Sequence, residues 1–232
     1  MYPIIILAGG LGTRIRSSIG NIPKCLAPVG KSFFLDKLLK QLSEYEVNEV
    51  ILSLGYKSEM VKSAVKNQKY IKNLSFCEEK QPLGTGGAVY NCIKNFNLEK
   101  VTVMNGDTWL DGDLSIFFNK KIKSNKDVLM GVCETDKADR FGNVSIKANR
   151  ITEFKEKNCS GKGTINAGIY SFDKNILEKF HPEKRRFSIE KEIFLKYTNL
   201  LKIIPIHLNT GFIDIGVPED YSQYLSKING QK

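Results

Sequence analysis

The sequence predicts an α/β fold of three layers, α/β/α, on a Rossmann-like, mostly parallel sheet, with a small antiparallel β-rich lobe in its second half. Three observations carry this. Short continuous apolar runs alternate with helix-period patterns before Asn105. The patterning changes to period two after about Phe141. Glycine-rich and acidic clusters follow the apolar runs, where ligands sit in parallel sheets.

Each element has its own justification. Ile4–Leu7 is an apolar run of strand length that enters a glycine-rich turn. Leu35, Leu38, Leu39, Leu42 and Tyr45 keep the i, i+3, i+4, i+7 spacing of an amphipathic helix. Val50–Leu54 and Val101–Met104 read as buried parallel strands. Between them, Met60, Val61, Ala64 and Val65 mark a short helix. A second helix, starting near Gly87, carries Ala88, Val89, Cys92 and Ile93. The β-α-β-α-β order implies a parallel sheet with helices on both faces. In the predicted lobe, within residues 141–170, Val144–Ile146 and Ile151–Phe154 alternate around a turn at Ala148–Arg150. The chain then returns through Ile165–Phe172, a helix near Phe187–Tyr197, a strand at Leu201–Ile206 and a last helix after Pro218.

A chain of 232 residues suffices for one domain, 1–232, with a real core. No apolar run approaches the roughly 20 residues of a membrane span, and no basic region precedes the first strand, unlike a secretion signal. The five cysteines are scattered without a CxxC pair, which argues against a disulfide framework or zinc site and for a reducing cytoplasm. The net charge of +10 comes from dispersed lysines. It is compatible with an anionic small-molecule substrate, but it lacks the clustering and aromatic interleaving of a nucleic-acid surface.

Four polar clusters fall at strand ends: Gly9–Arg14, Gln81–Gly87, Asn105–Asp107 and Asp214–Gly216. Glycines let backbone N–H groups approach an anion, and Arg14 and Lys24 supply fixed cations. The loop is not a dinucleotide fingerprint, because Ile15 stands where the third glycine belongs. Nor is Gly30-Lys31-Ser32 a Walker A loop, because Cys25 stands at its first glycine. Asp107 and Asp214 are a pair suited to Mg²⁺, which takes one or two carboxylates plus substrate phosphates. A strand-end aspartate alone is as readily a helix cap. His181 and His207 read as packing or surface residues.

The ordered set Ala8-Gly9-Gly10-Leu11-Gly12-Thr13-Arg14, Pro23-Lys24, Pro28-Val29, Asn105-Gly106-Asp107, Glu156-Lys157, Asn166-Ala167-Gly168 and Asp214-Ile215-Gly216 resembles the sugar-1-phosphate nucleotidyltransferases over nearly the whole chain. The resemblance implies that residues 1–140 mainly bind nucleotide and residues 141–232 mainly bind sugar phosphate. Leu7, Gly9, Gly10, Gly12 and Thr13 would line the nucleotide, and Gln81 and Gly86 its base. Arg14, Lys24 and Asp107 would be catalytic, with Asp107 and Asp214 holding Mg²⁺. Gly142, Glu156 and Asn166 would face the sugar and Lys157 its phosphate. Phe212 replaces a frequent family tryptophan.

Pro82–Ala88 and Asn105–Trp109 most resemble the bacterial D-glycero-D-manno-heptose 1-phosphate guanylyltransferases. That subtype implies GTP and a heptose 1-phosphate as substrates, for capsule or surface glycans. Mannose-1-phosphate guanylyltransferases and N-acetylmuramate-1-phosphate uridylyltransferases are the alternatives. A non-catalytic nucleotide sensor is the reading from another class, and joint retention of Arg14, Lys24, Asp107 and Asp214 argues against it. Gln81 alone does not choose the base, since its amide can flip. Backbone groups near Gly84–Gly86 are therefore expected to share that choice. Catalytic domains of this family often dimerise, which leaves a homodimer open.

Overall fold

The structure, a computed structural model, describes residues 1–141, 143–155 and 161–229. The first strand, β1 (Ile4–Leu7), lies mid-sheet, where all three of its isoleucines are fully buried. After a short helix α1 (Arg16–Ile19) and a small hairpin, β2 (Pro28–Val29) and β3 (Ser32–Phe33), comes α2 (Phe34–Leu42). The chain continues through β4 (Val50–Leu54), α3 (Ser58–Val65), β5 (Leu74–Glu78), α4 (Gly84–Phe96) and β6 (Lys100–Asn105). β4 and β6 flank β1 in parallel, and β5 extends the sheet beyond β4 to its edge. The chain thus leaves β1 towards one edge and returns to its other side. That reversal opens a crevice beyond the carboxyl ends of β1, β4, β5 and β6.

Strand pleating sends alternate residues to opposite faces. Ile4 and Ile6 join one core with Leu35, Leu38, Leu39 and Leu42 of α2 and Val61 of α3. Ile5 joins the other with Val89, Cys92 and Ile93 of α4. These are the expected three layers.

Next come β7 (Thr108–Asp111), α5 (Ser115–Phe118), β8 (Asp127–Thr135), β9 (Asn143–Lys147), β10 (Arg150–Lys155) and the long β11 (Gly163–Asp173). β11 runs antiparallel to β6, β8 and β9, so the sheet is mixed beyond β6. Its pairing with β8 shifts register between Asn166 and Tyr170, around Gly168. The expected lobe is the β9–β10 hairpin. Its turn residues Ala148 and Asn149 have φ of 46° and 56°, the double left-handed geometry that suits a tight hairpin. After α6 (Asn175–Phe180), the helix expected over Phe187–Tyr197 takes a wide, π-type turn at Glu190–Leu195. β12 (Lys202–His207) runs parallel to β8. β13 (Gly211–Asp214) pairs with β7 in a separate two-stranded sheet, and α7 (Pro218–Asn229) follows. No described helix is long and apolar enough to cross a membrane.

Candidate active site

The crevice holds a cleft of about 580 Å³. One wall is the loop after β1: Leu7, Gly9 and Gly10 line it, and Leu11 is half exposed at its rim. Gly55 and Tyr56 after β4 and Glu79–Pro82 after β5 also line it. Ser53, Gly84, Thr85, Ala88, Asn105, Asp107, Arg186 and Glu190 complete it.

The two aspartates meet because β7 and β13 pair. Asp214 lies opposite Thr108, next in sequence to Asp107, and the Ile215 N–H donates to the Asp107 carbonyl at 2.9 Å. The Gly216 N–H fixes Asp214 Oδ1 at 2.8 Å. Lys24 then reaches between them. Its Nζ lies 2.5 Å from Asp107 Oδ2 and 3.3 Å from Asp214 Oδ1, with only 11% of the side chain exposed. Two hard carboxylates converging on one cation fit the donor set that Mg²⁺ accepts from a protein, the rest coming from phosphate and water. No larger metal-type cluster occurs among the described residues. Cys25, next to Lys24, is buried, which pushes its thiol up to about 12 and leaves it inert.

Gly12 has φ +60°, and a Cβ there would crowd Lys24 Cβ at 3.1 Å; this glycine lets the loop close over the lysine. Thr13 and Arg14 sit exposed on the same loop, and Arg14 makes no ion pair among the described residues. Gln81 lines the cleft as expected. Gly86 does not. Its N–H donates to the Phe187 carbonyl at 3.0 Å and its α-carbon faces the Phe187 ring, so the backbone donor expected there is already committed. Asn166 is partly exposed and is joined to the cleft lining through Tyr170 and Glu190. Gly142, Glu156 and Lys157 lie outside the described residues.

Glu79 is the main addition to the residues singled out from sequence. Its Oε2 accepts the Leu83 N–H at 3.0 Å. Its Oε1 lies against the side-chain-free backbones of Gly9 and Gly55. Burial raises the carboxyl above its usual range, opposed by the Leu83 N–H and the charge of Arg186. A half-buried carboxylate in a slot floored by two glycines is an acceptor awaiting donors.

A profile of the nucleotidyl transferase family matches residues 4–231. This chain belongs to the nucleotidyl transferase family. Among similar members is the D-glycero-alpha-D-manno-heptose 1-phosphate guanylyltransferase of Campylobacter jejuni, 38% identical over 95% of this chain and 97% of that one. The enzyme of the same description from Aneurinibacillus thermoaerophilus is 35% identical over 94% of each. A mannose-1-phosphate guanylyltransferase from Mycobacterium tuberculosis is 28% identical over 94% of this chain but 62% of its own length. The crystal structure of HddC from Yersinia pseudotuberculosis complexed with GMP-PN superposes with a TM-score of 0.85 at 35% identity, covering 98% of this chain and all of that one. Within this family fold, the cleft of the nucleotidyl transferase is lined by glycine backbone, by the carboxylate of Glu79 and the amide of Gln81, and by Asp107, which Lys24 links to Asp214.

Proposed function

We propose that this nucleotidyl transferase joins GTP to D-glycero-α-D-manno-heptose 1-phosphate, giving GDP-heptose and pyrophosphate with the help of Mg²⁺. What carries the reading is likeness over nearly the whole length of two relatives with that activity, whereas the mannose enzyme is matched over part of its length. The site chemistry supports it. Guanine offers two adjacent donors, N1–H and the 2-amino group, and beside them the acceptor O6. Glu79 suits the two donors and the Gln81 amide suits O6. Uracil, thymine and adenine lack the paired donors.

The reaction needs no general base. A phosphate oxygen of the sugar 1-phosphate, already ionised at neutral pH, attacks the α-phosphorus in line; that P–O bond forms as the bond to pyrophosphate breaks. The protein's task is to hold two anions together and offset their charge. Lys24 and Arg14 bind phosphate oxygens in this reading, and the Gly9–Gly12 backbone fits closely around them. Asp107 and Asp214 would hold Mg²⁺, which would supply charge neutralisation at the phosphates. Asn166, with Gly142, Glu156 and Lys157, serves the sugar phosphate.

The test is a matrix of GTP, UTP, dTTP and ATP against heptose, mannose and N-acetylmuramate 1-phosphates, read by pyrophosphate release. GTP with the heptose should give the highest kcat/KM, and ATP should fall at least about 10²-fold below GTP, the discrimination expected of two mismatched buried polar contacts. A UTP preference would favour the uridylyltransferase reading. Turnover of mannose 1-phosphate above the heptose would favour the mannose one.

A further inference from the structure

A chain of hydrogen bonds runs from Glu190 in the cleft lining to Asn166, and the reaction as described gives Glu190 and Tyr170 no role. Glu190 sits at the start of the π-type turn and lines the cleft. Its Oε2 accepts from Thr85 Oγ1 at 2.8 Å and Ser188 Oγ at 2.7 Å, and its Oε1 accepts from the Tyr170 hydroxyl at 3.3 Å. No ion pair to Glu190 occurs among the described residues. The Tyr170 hydroxyl oxygen in turn accepts from Asn166 Nδ2 at 2.6 Å, and Asn166 Oδ1 accepts from the Gly168 N–H at 2.9 Å. Gly168 packs on Asn105, itself a lining residue.

Every direction in this chain is forced. An ionised carboxylate only accepts, so Tyr170 must give Glu190 its single proton. Tyr170, fully buried, keeps that proton, because burial and the neighbouring Glu190 charge push its phenol well above the ordinary value. With its proton spent, the phenol oxygen can take only a donor from Asn166, which must be the NH₂ group. A backbone N–H only donates, so Gly168 independently demands the amide oxygen on its side. Both constraints lock Asn166 in one orientation, with the second Nδ2 hydrogen left for a ligand.

We propose that Glu190 is a positioning residue: through Tyr170 it fixes the amide orientation of Asn166, so that Asn166 presents an N–H donor to a hydroxyl of the sugar 1-phosphate. This rests on the reading of Asn166 as a sugar contact. In Glu190→Gln the new amide still accepts from Thr85 and Ser188 through its oxygen, but its NH₂ now faces the Tyr170 oxygen. The Tyr170 proton must then turn towards Asn166, against the bond from Asn166 Nδ2. Tyr170→Phe removes the link without touching either substrate.

The experiment compares Glu190→Gln, Tyr170→Phe and the double variant with the wild type. Each single change should raise KM for the sugar 1-phosphate about tenfold, the worth of one lost hydrogen bond, and Tyr170→Phe, whose side chain does not line the cleft, should leave GTP affinity within about twofold of the wild type. The double variant should be no worse than the poorer single one, because both act through one chain. The side-chain amide signal of Asn166 in a ¹⁵N-labelled sample should shift in both single variants, a readout independent of turnover. Unchanged sugar KM, multiplying effects, an equal loss of GTP affinity in Tyr170→Phe or an unmoved Asn166 signal would each overturn the proposal. A wild type that turns over no sugar 1-phosphate but shows the Asn166 shifts would instead fault the functional reading.

Discussion

Lys24 bridges two carboxylates contributed by residues far apart in the chain. Asp107→Asn keeps the shape but removes one charge; kcat should fall about 10²-fold or more, as when one group that stabilises a transition state is lost. Lys24→Ala should lower kcat more than it raises KM for GTP, measured by steady-state kinetics, if its contact tightens in the transition state. Arg14→Lys should also be harmful, since lysine cannot reproduce a forked contact with phosphate. Glu79 gives a prediction with a pH dependence. Its folded pKa is raised by burial, so its contribution to stability is fully present at low pH, below the ordinary carboxylate range. That contribution is lost as pH rises through the raised value. Glu79→Gln should therefore raise the Tm of the nucleotide-free protein at pH 7, with the gain shrinking towards pH 4, while weakening GTP more than inosine triphosphate, which lacks the 2-amino group. A nucleotide-free Tm that responds to pH as the wild type's does would remove the argument.

At the scale of elements, the loop before α4 is shaped by a strap, residues 185–187. Gly84 has φ +71°, and a Cβ there would lie 2.5 Å from the Phe187 carbonyl oxygen. Gly84→Ala combines a left-handed backbone penalty of about 1–2 kcal/mol with a clash of about 1–3 kcal/mol. Denaturant unfolding should show the combined loss of about 2–5 kcal/mol, and KM for GTP should rise. The sequence made the central β-α-β-α-β unit legible because β1, β4 and β6 are buried on both faces and read as apolar runs broken only by Ser53 and Thr102. The edge strand β5 was hidden for the opposite reason: Leu74, Ser75, Phe76 and Glu78 all retain contact with solvent, so neither run nor alternation marks it. Glu79 was lost with it, since its place beyond a strand end could not be seen. The apolar run of β8 is interrupted in the sequence by Gly131, whose missing side chain makes room for Ile169 of β11. The glycine loop and both aspartates were legible as local motifs. The Asn166–Tyr170–Glu190 chain was not, because its register shift and its partner from the π-type turn exist only in three dimensions.

For the whole molecule, the net charge of +10 favours the approach of two highly anionic substrates. Raising salt from about 0.05 M to about 0.5 M, which shortens the screening length several-fold, should raise KM for both GTP and the sugar phosphate and leave kcat within about twofold. A KM indifferent to salt would confine the electrostatics to Lys24, Arg14 and the aspartates. One crevice, one lysine held between two carboxylates and a guanine-compatible carboxylate–amide pair together suit a guanylyltransferase. The measurement that tests this most directly is product formation from GTP and D-glycero-α-D-manno-heptose 1-phosphate by the purified chain with Mg²⁺, with Asp107→Asn run in parallel. The account predicts GDP-heptose and pyrophosphate in equal amounts from the wild type, and a rate at least about 10²-fold lower from the variant. No GDP-heptose from the wild type, or equal rates from both proteins, would contradict it.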